Sequence, residues 1–323
     1  MSYETGTATD PNNLLDKLRI FALANGWTVD YSGGRTNVGG SLQAGSNNVI
    51  AMNKGGLYVV LYQDTSSNST QDPTPRVATY TYPGPWVAAN GSDVQANKTD
   101  TMRANNLGGP YSAYHFFTDP ARNYLHVAVE VVPGKFSHFH VGTLNKAGGG
   151  TPVAYNTGLR WDFTTTPTPY LSDATNNRHA IPFDDYTPGA TTSSATALRV
   201  DSDGFVPRNQ TLYSGSNTDA KGGFRAFSNY TLLSHMTTSV QASAITGRAP
   251  LLPLIMMCNR TSGIYSVVGT PFDLRYVSMD NIAAGEVVTI GSDQWKCFPI
   301  IRKNGTSGIE NSALMGFAYR IVP

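Results

Sequence analysis

In the run Tyr124-Leu125-His126-Val127-Ala128-Val129-Glu130-Val131-Val132, apolar and other residues alternate with period two. An extended strand puts Leu125, Val127, Val129 and Val131 on one face and His126, Ala128 and Glu130 on the other. A helix would scatter the same set around its circumference, so this run commits the region to a sheet. Tyr111–Phe117 precedes it across the turn Asp119-Pro120-Ala121-Arg122-Asn123, and Pro133-Gly134 returns the chain into Phe136–Leu144. The spacing predicts an antiparallel three-stranded meander with one apolar face.

The rest of the chain carries the same preference. Among 323 residues there are 32 Gly and 19 Pro, and charged residues make up 14%, against about a quarter in ordinary soluble domains. Such composition favours turns over helices. The 17 Tyr and 13 Phe suit pleated, half-buried surfaces. Further strand signals fall at Gly56–Tyr62, Arg225–Tyr230, Ile264–Val268, Glu286–Ile290, Gln294–Ile301 and Met315–Val322. The last three read as closing strands of a sandwich. Turn formers dominate 33–56, 63–76, 83–110 and 145–230, and no repeat of solenoid or propeller period is present.

The expected fold is therefore mainly β: antiparallel sheets packed as one or two sandwiches, with a short N-terminal helix and long loop insertions. The expected organisation is an arm and helix in 1–45, a β-sandwich core with the central meander in 46–160, a loop-rich insertion in 161–225, and C-terminal strands in 226–323. The last segment either completes the sandwich or forms a second one.

The one confident helix follows a polar arm, Ser2–Asp10. Asp10 is placed to accept from the free amides of the first turn, and Pro11 sits where its missing N–H costs nothing. Leu14, Leu15, Leu18, Phe21 and Ala22 form one apolar stripe, and Asn25-Gly26 supplies the stop. A helix of this length is marginal alone. Its stripe must dock, either on the chain's own core or on a neighbouring subunit; Leu14, Leu18 and Phe21 are the candidate docking residues.

Charge limits the partners. A net charge of +1 supplies no long-range pull on nucleic acid or an anionic membrane, so neither is expected as a partner. No apolar run approaches the roughly 20 residues needed to span a bilayer. Glu4 and Asp10 stand where a signal peptide would be basic, and no apolar signal core follows. The chain is expected to be made in the cytosol and not exported by that route. The Asn-x-Ser/Thr triplets at Asn68, Asn90, Asn97, Asn209, Asn229, Asn259 and Asn304 then reflect loop composition, not glycosylation. Cys258 and Cys297 both lie in apolar surroundings and are expected to be buried free thiols, with pairing left open because separation in sequence does not fix distance.

The best candidate for chemistry is His138-Phe139-His140. Two imidazoles two residues apart on a strand share a face and make half of a common zinc or iron site. His126 and Glu130 share a face of the preceding strand. If the Pro133-Gly134 turn opposes even positions, His126, Glu130, His138 and His140 converge; a one-residue slip destroys the arrangement. A double-stranded β-helix metal pocket also wants a carboxylate shortly after the pair, where Leu144 and Asn145 stand. That departure favours the other reading, a hydrogen-bonded His/aromatic strand face in a sheet–sheet or subunit contact.

Other signals are weaker. There is no Gly-x-Ser-x-Gly elbow, P-loop or HExxH. Asp184-Asp185 reads as a loop turn, and Asp201-Ser202-Asp203-Gly204 lacks the closing Glu of a calcium loop. Tyr80, Tyr82 and Trp86 are candidate sugar-stacking aromatics.

Tyr3-Glu4-Thr5-Gly6-Thr7-Ala8-Thr9-Asp10, followed by Leu14-Leu15, Leu18-Arg19, Phe21 and Gly26-Trp27, resembles the start of a group of structural proteins from tailed bacteriophages. Phe136–Leu144 with Lys146 and Gly148 resembles an internal motif of that group; the middle and C-terminal thirds show no such match. The resemblance implies a non-enzymatic virion component of the neck (collar), tail or baseplate. It would be synthesised in the host cytoplasm and assembled through contacts with its own copies, as in a ring, and with other virion proteins. No catalytic residue, cofactor or resident metal carries over. Two other classes remain open: a glycan- or receptor-binding tail protein, and a metal-dependent β-barrel enzyme using His138 and His140.

Overall fold

The alternating runs pair as antiparallel ladders throughout the computed structural model. It describes residues 1–34, 48–65, 75–90, 95–96, 98–99, 101–104, 107–146, 153–158, 182–183, 196–200, 208–211, 220–222, 247, 250–261, 264–300 and 315–322. The N-terminal elements are β1 (Ser2–Ala8), α1 (Pro11–Ala24), β2 (Thr28–Gly34), β3 (Asn48–Lys54), β4 (Leu57–Asp64), β5 (Arg76–Tyr82) and β6 (Met102–Ala104). Next come β7 (Tyr111–Thr118), β8 (Tyr124–Val132), β9 (Lys135–Asn145), β10 (Ala154–Thr157), β11 (Thr196–Val200), β12 (Arg208–Thr211) and β13 (Ala220–Gly222). The chain ends with β14 (Leu252–Pro253), β15 (Met256–Thr261), β16 (Ile264–Pro271), β17 (Leu274–Ser278), β18 (Val287–Ile290), β19 (Asp293–Pro299) and β20 (Met315–Val322).

These strands form a mainly-β, sandwich-like stack of three sheets. A ten-stranded middle sheet runs β1-β7-β8-β9-β10-β11-β12, with β16 joined to the end of β9 and carrying β15 and β13. An N-terminal sheet runs β2-β3-β4-β5-β6, and a C-terminal sheet runs β14-β17-β20-β19-β18. The two faces of the meander take different partners. Leu125, Val127, Val129, Phe139 and Val141 pack with Leu57, Val59, Leu61 and the helix stripe. Ala128, Phe136, Phe117 and Leu144 pack with Tyr276, Phe298, Phe317 and Tyr319. The expected single apolar face is thus corrected: the middle sheet is covered on both sides, because the C-terminal sheet lies over the histidine face.

Two further differences concern organisation. β11 and β12 fall within 161–225, yet they continue the middle sheet edge to edge. That stretch contributes strands to the middle sheet. The expected strand at 225–230 lies outside the described residues. In the last segment β17, β19 and β20 pair as closing strands of a separate layer, while β16 joins the middle sheet.

The helix forms as its caps dictate. Asp10 Oδ1 accepts from the amides of Asn12 at 2.9 Å and Asn13 at 3.0 Å. Gly26 takes φ 80°, and the Trp27 amide donates back to the Ala22 carbonyl at 3.1 Å. The arm before it is β1, antiparallel to β7. Among the described residues, no helix is long and apolar enough to cross a membrane.

Candidate functional site

Strand register assembles the site. β8 and β9 pair with His126 opposite His140 and Ala128 opposite His138. β7 adds His115, opposite Ala128. Four of the chain's six histidines therefore share one face of the middle sheet. His126, His138 and His140 are 0% exposed and His115 8%. Aromatic rings surround them: Tyr124 stacks on His126 at 4.4 Å, Phe298 lies 4.4 Å from His115, and Tyr319 stacks on Phe117 at 4.4 Å.

The hydrogen bonds form a chain whose polarity one acceptor sets. The Pro299 carbonyl can only accept, so His138 Nε2 carries a proton and donates to it at 2.9 Å. His138 Nδ1 then accepts from the Tyr319 hydroxyl at 2.8 Å. Having used its only proton, Tyr319 Oη accepts from His140 Nε2–H at 2.9 Å. His140 Nδ1 in turn accepts from Thr157 Oγ1 at 2.8 Å. Beside this chain His126 Nε2 meets the Tyr155 hydroxyl at 2.7 Å, and His115 Nδ1 meets the Tyr3 hydroxyl at 2.9 Å. Among the described residues, His126 Nδ1 is buried without a hydrogen-bond partner.

Burial decides the charge state. Desolvation pushes His126 down to about 3. Desolvation also brings His138 to about 4, partly opposed by the Pro299 carbonyl and reinforced by His115. His115 falls to about 4 through burial and the nearby Lys296 ammonium. Burial, with His126 and His138 beside it, holds His140 well below the usual imidazole range. The Tyr155 and Tyr319 hydroxyls are pushed well above theirs, chiefly by burial. At neutral pH every member is uncharged, which is the state a dry sheet–sheet contact tolerates.

This geometry corrects the four-residue metal arrangement. The even-numbered register holds, and His126 and His140 rings come within 5.2 Å. Glu130 does not join them: it opposes Phe136 and accepts from the Gly134 amide at 2.7 Å, at the hairpin turn. The His138 nitrogens and both nitrogens of His140 are already engaged by protein groups. Among the described residues, no group of three or more His, Cys, Asp or Glu is arranged to hold a metal ion.

Leu14, Leu18 and Phe21 take the first of the two docking alternatives, the chain's own core, and not an assembly interface. They are 0%, 0% and 4% exposed in the chain's own core, so they offer no surface to a neighbour. The helix instead exposes Ile20 (54%) and Leu23 (44%). Tyr80 and Tyr82 are buried too, and do not form an open platform. Trp86 is half-buried and stacks on Tyr31 at 5.0 Å and 11°. Cys297 is a free buried thiol, raised to about 12 mainly by burial; the Cys258 side chain lies outside the described residues, as do Asp184-Asp185 and Asp201–Gly204.

Sequence reasoning missed the partners that complete the network. Tyr319, Pro299 and Thr157 carry no local motif. Asp273 also escaped notice: it accepts from Arg122 Nη1 at 2.5 Å, Tyr124 Oη at 2.9 Å and Arg320 Nη1 at 3.2 Å, tying the β7–β8 turn to β20. A groove of about 510 Å³ lies elsewhere, along β18, lined by Ile282, Glu286, Val288 and Ile290 among others. No protein-family model matches the chain, and a search of curated proteins finds no match. The fold and site define the class: a layered antiparallel β-protein with a sealed, uncharged His/Tyr network at one sheet–sheet seam.

Proposed function

We propose that this chain is a non-enzymatic structural subunit of a tailed-bacteriophage virion, stationed in the neck (collar), tail or baseplate and held by contacts with its own copies and with other virion proteins. The observation that carries the reading is the resemblance of residues 3–27 and 136–148 to that group of virion proteins. Those segments become β1 with α1, and β9 at the heart of the middle sheet. Support for assembly through contacts comes from apolar side chains left in solvent: Ile20 and Leu23 on α1, and Val287 (41%) and Ile290 (50%) on the edge strand β18. An edge strand without charge or proline is the kind of surface that pairs with another chain. A ring of copies is the arrangement that the resemblance implies.

Mass spectrometry of purified virions and reconstruction of the particle test this directly. The expected outcome is peptides and symmetric density for this chain; particles lacking both would sink the reading. A glycan- or receptor-binding role has one observation in its favour, the half-buried Tyr31–Trp86 stack. Glycan-array binding by the isolated protein, lost on Trp86→Ala, would favour it over pure scaffolding.

A further inference from the structure

We propose that the histidine face of the middle sheet is an acid-responsive seam: acidification releases the C-terminal sheet from the middle sheet while the opposite seam, with the N-terminal sheet and α1, stays closed.

The two seams differ in what they bury. All four described histidines lie on one face of the middle sheet. The core on the other face is built from aliphatic and aromatic residues whose only ionisable members, Tyr111 and Tyr114, do not titrate in acid. Acids near that side are placed differently: Glu4 on β1 accepts from Tyr114 Oη at 3.0 Å, Asp10 caps α1, and Asp64 pairs with Arg76 and Arg103.

The second ground is the chain's limited proton capacity. One added proton, on His140 Nδ1, is accommodated when the Thr157 hydroxyl rotates to accept. A second, on His138 Nδ1, places an N–H on either side of Tyr319 Oη, whose own proton then has no acceptor. Protonation thus strands a buried hydroxyl donor as well as burying charge.

The third ground is the absence of counter-charge among the described groups that face the cluster. Tyr3 comes from β1, Tyr124 from β8, Tyr155 from β10, Tyr276 from β17 and Tyr319 from β20. Lys296 on β19 is cationic and disfavours charge on His115. Arg320 on β20 is cationic too, Glu130 on β8 is drawn to the Gly134 amide at the hairpin turn, and the buried carboxylate on this side, Asp273, is already held by Arg122 and Arg320. An imidazolium formed here meets no unengaged anion.

The sign follows. Folded-state values lie below the ordinary imidazole value near 6.5, so the opened form binds more protons. Seam stability is complete above about pH 6.5 and falls as pH drops toward 4.

Hydrogen exchange by mass spectrometry on the full chain, corrected for the intrinsic pH dependence of exchange, tests this between pH 7 and 4. The expected result is that β17, β19 and β20 lose protection below about pH 5 while β3–β5 and α1 keep theirs. The opening constant should rise about 100-fold or more per pH unit, the signature of at least two coupled protons. Simultaneous loss in both layers, retention of the C-terminal sheet down to pH 4, or a tenfold slope would each overturn the proposal. Imidazole ¹⁵N spectra give a second reading. They should show Nε2–H tautomers for His138 and His140 at pH 7 and no protonation ahead of opening; free titration near 6.5 in a closed seam overturns it.

Discussion

At the scale of single residues, the motif His138-Phe139-His140 has one meaning in sequence and another in the fold. Period-two geometry alone places both imidazoles on one face. Whether that face binds metal or packs dry depends on what covers it, and the cover is β20 with Tyr319. Tyr319 Oη touches both His138 Nδ1 and His140 Nε2. Tyr319→Phe keeps the ring and its stacking on Phe117 but strands two buried nitrogens. The expected cost is about 2–3 kcal/mol in urea unfolding, the penalty for buried polar atoms left without partners. A loss under about 0.5 kcal/mol would show that the hydroxyl does not organise the network.

The elements themselves were largely legible, because their signals are local. Asp10, Pro11 and Gly26 act within a turn or two of the helix they bound, and α1 runs from Pro11 to Ala24 as those residues require. Burial works against the Asp10 carboxyl, but the Thr9 hydroxyl and the amides of Asn13 and Asn12 outweigh it and hold the carboxyl below its ordinary range. Asp10→Ala should cost about 1 kcal/mol by thermal or urea unfolding, and Asp10→Asn less than half of that, since Asn caps nearly as well. Equal losses in the two variants would refute the capping account. The meander was legible for the same local reason. Its register came out with even positions opposed, as the hairpin turn allowed. What stayed hidden was the destination of each apolar stripe. Leu14, Leu18 and Phe21 announce a docking face but not its partner, and the partner is the chain's own core.

At the scale of the whole molecule, three layers must be held in one stack by contacts between distant parts of the chain. Asp273 is one such tie. It sits in a left-handed turn at φ 53°, only 6% exposed, and draws in Arg122 from the middle sheet and Arg320 from the C-terminal sheet. Both arginines keep some solvent access, so the tie is worth less than a fully buried ion pair. Asp273→Ala is expected to cost about 2 kcal/mol, with the C-terminal sheet affected first in hydrogen exchange. Asp273→Asn, which tolerates the same backbone, separates loss of charge from backbone strain. An unchanged unfolding midpoint for both would show that the layers do not depend on this tie. By itself the sequence determined that the chain is β-rich, where the meander turns, how the helix is capped, and that two histidines share a strand face. Alternation, caps and turns act over a few residues, so they can be read in order. Only the tertiary structure decided that the middle sheet is covered on both faces, that β11 and β12 extend it, and that His138 and His140 are hydrogen-bonded to Tyr319, Pro299 and Thr157. Those outcomes rest on pairs such as His138 and Tyr319, 181 residues apart, and no local pattern specifies which distant side chain will close over a face.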